Sequence, residues 1–244
     1  EEKKKRYGTF FRGGHFAPLT GGLAFWAHSS SCELLDLTTG ARTDLEQAPG
    51  KYVRFAASSK SGDAVVVCDG DGWVRLMPVD LAKRKLGKMV RKQLNPHAGA
   101  AFSDELVALS VSTYSKGKTS YEVSLHARAT LERRKTIKAS GPVAFGKDVV
   151  LIPTAKGFGV WRAPFTSASL EVACSPEVRL HAVSDDGAFA LGVLDEQVFC
   201  FDLVKGKRVG AVKVPPSMSA MPSLPVRARW ARSATAAESS VRLL

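Results

Sequence analysis

The sequence predicts an all-β protein built from successive copies of a four-stranded antiparallel unit. Three observations predict it. Helical periodicity is scarce across the 244 residues, short runs rich in Val, Phe, Leu and Trp alternate with clusters of Gly, Ser, Asp and Pro, and these runs group in fours. The groups recur at a spacing of roughly 40 residues, the length of a four-stranded repeat. A composition 45% hydrophobic and 24% charged supports a folded core and excludes a low-complexity chain. The longest apolar runs, Leu23 to Ala27, Ala64 to Cys68 and Val149 to Pro153, are far too short to span a bilayer, so membrane insertion is not expected.

Taken in order, the first copy reads LAFWAH, the turn SSS, CELLDL, the turn TTG and ARTDL. The second begins at Tyr52 with VRFAAS, then SKSGD, AVVVC, DGDG, WVRLMPVDL and the basic stretch AKRKLGKMV. AAFS, ELVALSVS, the loop TYSKGKTS, YEVSLHA and ERRKTI make the third; PVAFG, KDVVLIPT, AKG, FGVWRAPF and LEVACS make the fourth. The clearest copy, around Leu180 to Val214, has RLHAVS, DDG, AFALGVL, DEQ, VFCFDL, VKGK and RVGAVKV. Asp36, Asp80, His126, Arg162 and Asp202 then hold one equivalent place at the end of the third strand.

An isolated four-stranded sheet exposes two faces and cannot bury both alone, so the copies must stack radially. Trp26, Val66, Trp73, Val107, Trp161, Phe189, Phe199 and Phe201 are expected to fill the spaces between successive sheets. This divides the chain into a charged N-terminal segment (1–13), the repeats (14–214), a Pro, Ser and Met linker (215–225) and a C-terminal segment (226–244) that is a candidate partial sixth copy.

Ser184, Asp185, Asp186 and Gly187 form an S-x-D-G-type turn before a second strand. Phe201 and Asp202, followed by Leu203 to Gly206, end a third strand in an aromatic-Asp pair, and Asp36 to Gly40 repeats that turn. Over about residues 14 to 214 the chain resembles the WD-repeat β-propeller family in these features. It departs from that pattern too: no copy carries the full Trp-Asp ending, and the Gly-His pair occurs only at Gly14 and His15. The resemblance implies a β-propeller of four-stranded antiparallel blades, five visible plus the candidate sixth, acting as a scaffold for proteins of a multi-subunit complex.

Motifs for chemistry are weak by comparison. SKGKTS, from Ser115 to Ser120, looks like the end of a P-loop, but Ser112 stands where the first Gly is required and a strand follows instead of a helix. Asp69 to Gly72 resembles the start of an EF-hand loop, yet Val74 and Asp80 occupy the positions needing Gly and Glu, so a hairpin turn is expected. No G-x-S-x-G, H-E-x-x-H or G-x-G-x-x-G is present, so no catalytic residues and no cofactor are expected. The weaker enzyme reading would use His126 or His181 as a base in a central channel. His15, His28, His97, His126 and His181 lack metal-ligand spacing, and no metal site is expected. Cys32, Cys68, Cys174 and Cys200 lie apart in apolar runs and read as buried free thiols in a reducing, intracellular compartment. No signal or transit segment is visible in a chain that starts at Glu1, which leaves a longer parent protein open.

Charge is the outlier. Lys and Arg number 35 against 23 Asp and Glu, a net charge of +12. Between Leu81 and Ser140 thirteen basic residues face four acidic ones, which places nine of those twelve charges in a quarter of the chain. The densest clusters are Lys83, Arg84, Lys85, Lys88, Arg91 and Lys92, then Arg133, Arg134, Lys135 and Lys138, on the fourth strands of neighbouring copies. Such a rim suits RNA phosphates or an acidic protein. With the family resemblance, this points to a non-catalytic scaffold in a large ribonucleoprotein assembly. Ribosome biogenesis is the favoured setting, and nucleus or nucleolus is preferred over cytoplasm or mitochondrion. The alternative is a protein-only adaptor propeller in transport or signalling.

Overall fold

The turns show how local chemistry sets the strands. Ser59 Oγ accepts from the Ala64 amide at 3.1 Å and donates to Asp63 Oδ1 at 2.6 Å; Ser184 Oγ accepts from the Phe189 amide at 2.9 Å and donates to Asp186 Oδ1 at 2.6 Å. Each closes a tight loop between a first and a second strand. At the other turn type, Asp36 Oδ1 accepts from the amides of Thr38 and Thr39 at 2.8 and 3.1 Å, and Asp202 Oδ1 from those of Val204 and Lys205 at 2.9 and 2.8 Å. The Lys83 amide likewise donates to Asp80 Oδ1 at 3.0 Å.

A computed structural model of the protein describes residues 15–28, 31–45, 53–213, 228–230 and 241–243. Sheet 1 contains β1 (His15–Pro18), β2 (Leu23–His28), β3 (Ser31–Asp36) and β4 (Arg42–Leu45). Sheet 2 contains β5 (Val53–Ser58), β6 (Ala64–Asp69) and β7 (Trp73–Asp80), with β8 (Lys85–Leu86) and β9 (Val90–Gln93) both pairing with β7. Sheet 3 has β10 (Pro96–Phe102), β11 (Leu106–Ser115), β12 (Lys118–Ala127) and β13 (Arg133–Ala139). Sheet 4 has β14 (Ala144–Phe145), β15 (Val149–Thr154), β16 (Gly157–Arg162) and β17 (Leu170–Ala173). Sheet 5 has β18 (Arg179–Val183), β19 (Phe189–Leu194), β20 (Gln197–Asp202) and β21 (Lys207–Lys213). A separate antiparallel pair joins β22 (Ala228–Trp230) to β23 (Val241–Leu243). The charged segment 1–13, the linker 215–225 and most of the 226–244 segment lie outside the described residues.

Each junction between successive sheets has its own apolar core. Ala17, Phe25, Leu34, Val65, Val67 and Met77 fill the space between sheets 1 and 2; Val66, Cys68, Val74, Leu76, Val107 and Leu109 fill that between 2 and 3. Sheets 3 and 4 meet through Val123, Leu125, Val150 and Ile152, and sheets 4 and 5 through Phe158, Val160, Phe199 and Phe201. The Phe158 and Phe201 rings meet edge to face, centroids 5.2 Å apart. β6 shows why the pattern reads as an unbroken apolar run: Val65 and Val67 point to one neighbour, Ala64, Val66 and Cys68 to the other, and all are buried.

The first strands touch in series, β1 with β5, β5 with β10, β10 with β14 and β14 with β18. Lys60, in the turn after β5, reaches past sheet 3 to Asp148 after β14, at 2.7 Å, so these turns converge at one end. The result is an all-β molecule with a propeller-like order of antiparallel sheets. Among the described residues, no contact of similar extent returns from β18 to β1.

Two expectations need correction. Val66, Val107, Phe199 and Phe201 are core residues as expected, and Trp161, though half-buried, packs against the core between sheets 3 and 4, but Trp26, Trp73 and Phe189 are only half-buried. The three indoles lie under cations of the outer strands: Arg42 over Trp26 at 5.6 Å, Arg91 over Trp73 at 4.0 Å and Lys135 over Trp161 at 5.6 Å. The stretch expected as one basic fourth strand, AKRKLGKMV, is split into β8 and β9 by a break at Gly87–Met89, whose Gly87 amide donates to Pro78 O at 2.8 Å.

Candidate nucleic-acid interface

All ten candidate cations are exposed. Lys83 and Arg84 occupy the turn after β7, Lys85 begins β8, Lys88 lies between β8 and β9, and Arg91 and Lys92 sit on β9. Arg133, Arg134, Lys135 and Lys138 are on β13, the outer strand of the adjacent sheet. Strand alternation then sorts them. Arg91 pairs with Arg75 and lies against Trp73, whereas Lys92 pairs with Val74, whose side chain faces sheet 3. On β13, a bulge between Leu125 and His126 places Arg133 opposite His126, while Lys135 lies opposite Leu125 and turns to sheet 4, where its Nζ donates to Thr166 O at 3.0 Å.

The structure therefore brings part of the set together and divides the rest. Lys92 and Arg133 line one groove of about 300 Å³ between sheets 2 and 3, with Leu94, Val111, Glu122, Ser124 and His126. Lys138 lies directly across the strand pair from Glu122 on the same face. Arg84 instead reaches sheet 1, Nη2 to Asp36 Oδ2 at 3.1 Å. Lys83 pairs with Asp80 at 3.4 Å and Arg134 with Glu132 at 3.7 Å. These exposed pairs are weak and leave their charge available to a polyanion. Lys85, Lys88, Arg91, Lys92, Arg133, Lys135 and Lys138 form no ion pair with a described carboxylate.

His126 is buried at the base of the groove, on a third strand rather than a first strand. Its Nδ1 is 3.0 Å from Leu131 O and its Nε2 2.9 Å from Ser124 Oγ. Burial lowers its pKa below the usual imidazole value, with the nearby Lys92 and Arg133 acting in the same direction against the Leu131 hydrogen bond. A neutral imidazole that donates to Leu131 O and accepts from Ser124 ties the groove floor together. His181 is exposed on β18. No group of three or more His, Cys, Asp or Glu side chains with metal-binding geometry occurs among the described residues. No helix of the described residues is long and apolar enough to cross a membrane.

The sequence predicts a loop at TYSKGKTS. β11 and β12 instead continue as a regular hairpin to Ser115 opposite Lys118, reversed by Lys116 and Gly117 at φ 51° and 76°. The signal was present as Thr, Tyr and Ser of strand type flanking a Lys-Gly pair, but the local density of turn-forming residues concealed it.

No protein-family profile matches this chain, and no curated protein matches it in sequence. Among solved structures it is similar to a chain of Kuenenia stuttgartiensis hydrazine synthase, with a TM-score of 0.51, 11% identity, and 82% of this chain and 74% of that chain covered. It is also similar to a chain in the crystal structure of the mitotic checkpoint complex, with a TM-score of 0.54, 13% identity, and 82% of this chain and 63% of that one covered. The chain thus spans less than two thirds of that second protein. Both proteins contain propellers, and at these identities the likeness is one of fold alone.

Proposed function

We propose that this chain is a non-catalytic, WD-repeat-like propeller scaffold of a large ribonucleoprotein assembly, with ribosome building in the nucleus or nucleolus as the favoured setting. Its five sheets act as blades, the β22 and β23 pair contributes to a partial sixth, and protein partners are held on blade edges and faces. RNA phosphates lie against the outer edges of sheets 2 and 3. The observation that carries the RNA contact is the set of ten exposed cations on and beside the outer strands of sheets 2 and 3, seven of them without a described carboxylate partner. Phosphates released from their counterions by such a surface make binding salt-dependent.

The test reverses Lys83, Arg84, Lys85, Arg133 and Arg134 to Glu and measures RNA affinity across salt. Weaker binding with a shallower salt slope is expected; an unchanged affinity and slope removes the RNA contact. A protein-only adaptor is the second reading, favoured by the likeness to a chain solved within a multi-subunit complex. It predicts copurification with proteins and indifference to nucleic acid.

A further inference from the structure

We propose that the projecting end of the β11–β12 hairpin is a stacking arm for single-stranded RNA. This deepens the RNA contact proposed above by naming the form of the ligand and a second point of attachment. The register of the hairpin runs without interruption to Ser115 opposite Lys118. Its flanking strands stop earlier, β10 at Val111 and β13 at Tyr121. From Ser112 to Ser120 the hairpin is therefore a two-stranded ribbon that stands about 13 Å beyond the sheet, taking about 3.3 Å per residue.

Nothing along this ribbon suits an apolar partner. The stretch from Ser112 to Tyr121 holds no aliphatic side chain and no carboxylate, only hydroxyls, two lysines, a glycine and two tyrosines. Tyr114 is 75% exposed, the most exposed of the large hydrophobic side chains described. Because paired residues share a face, Tyr114 and Thr119 lie on one side, while Ser115 and Lys118 lie on the other. Lys118 is in phase with Glu122, Ser124 and His126, so it extends the same face that carries Lys138 and the groove of Lys92 and Arg133. A strand passing over the tip can place a base on Tyr114 and its phosphates beside Lys116 and Lys118, then continue toward Lys138. In a duplex the base faces are already stacked, so Tyr114 has nothing to receive; a single strand offers a free face.

The test uses the full chain, a labelled 20-nucleotide oligouridylate and a duplex of the same length, read by fluorescence anisotropy. Tyr114→Ala is expected to weaken single-strand binding about tenfold while Tyr114→Phe stays near wild type, since the ring and not the hydroxyl stacks. Duplex affinity should not respond to either. Lys116→Gln with Lys118→Gln should lower the salt slope by about 1.4, or about 0.7 for each phosphate contact with a single strand. Single-strand affinity unchanged by Tyr114→Ala overturns the arm, and if rim reversal still abolishes binding the rim reading survives alone. Loss in the arm variants with no response to rim reversal supports the arm and removes the rim. A wild-type protein that binds neither oligonucleotide ends both.

Discussion

Asp69 and Arg75 form an ion pair at the heart of sheet 2. Asp69 ends β6 at 3% exposure and Arg75 lies on β7 at 6%. Asp69 Oδ1 accepts from the amides of Asp71 and Trp73 at 3.1 and 2.9 Å, and Oδ2 accepts from Arg75 Nη1 at 2.6 Å. Removing either partner strands the other charge away from water. Asp69→Asn keeps an acceptor for the turn amides but faces the guanidinium with an amide group, at a cost of about 3 kcal/mol. Arg75→Met leaves a carboxylate that two backbone amides still hold, at about 2 kcal/mol. The double variant carries no buried charge and retains the turn, so it should lose only about 1 kcal/mol, a coupling of about 4 kcal/mol between the two sites. Urea unfolding followed by Trp fluorescence measures this, since about 3 kcal/mol displaces the midpoint by about 1 M or more. A double variant as unstable as the sum of the two singles refutes the account. So does a midpoint shift below about 0.3 M for Asp69→Asn.

Further predictions concern acid, backbone and thiols. Burial raises the Asp63 pKa, but hydrogen bonds from Ser59 and Ser61 and the Arg128 guanidinium at 2.8 Å outweigh it and hold the carboxyl at about 2. Because this folded value is depressed, the stabilisation is complete above about pH 4 and disappears as pH falls toward 2; Asp63→Asn should flatten that limb of an acid melt. With the Asp63 side chain half exposed, the loss at pH 7 is about 1 kcal/mol or less, and a larger one contradicts the weight given to solvent screening. Gly157 has φ 143°, and a Cβ there would stand 2.1 Å from Val172 O, so Gly157→Ala should cost about 3 kcal/mol or more by thermal melt through loss of the β16–β17 pairing. Burial pushes the Cys32 and Cys68 thiols up to about 12, and both should resist a thiol reagent in the native protein and react on unfolding. Labelling of either at the rate of an exposed thiol would contradict their burial.

How much of this was legible depends on which residues report on their own surroundings. The AVVVC run, the Ser59 and Ser184 turns and the Asp36 and Asp202 turns state their structure locally, because Ser and Asp side chains satisfy nearby amides and an apolar run on both faces of a strand needs two neighbours. The tryptophans misled, since a ring prized for its area also serves beneath a cation: Trp73 under Arg91 depends on β9 lying beside β7, a pairing between separate strands. TYSKGKTS misled for the opposite reason, as its turn-rich composition hides a ladder held by cross-strand hydrogen bonds.

Composition and repeat spacing alone determined that this protein is all-β, built of successive antiparallel sheets of which four of the five have four strands, and strongly basic through its middle third, because periodicity, turn chemistry and charge are properties of neighbouring residues. Tertiary structure decided which cations share a face. A single-residue bulge at Leu125 and His126 sends Arg133 to the groove with Lys92 and Lys135 to the opposite sheet. It also decided that the third hairpin outruns its neighbours. Register and strand length are settled by pairing between distant segments, which no local stretch of sequence records.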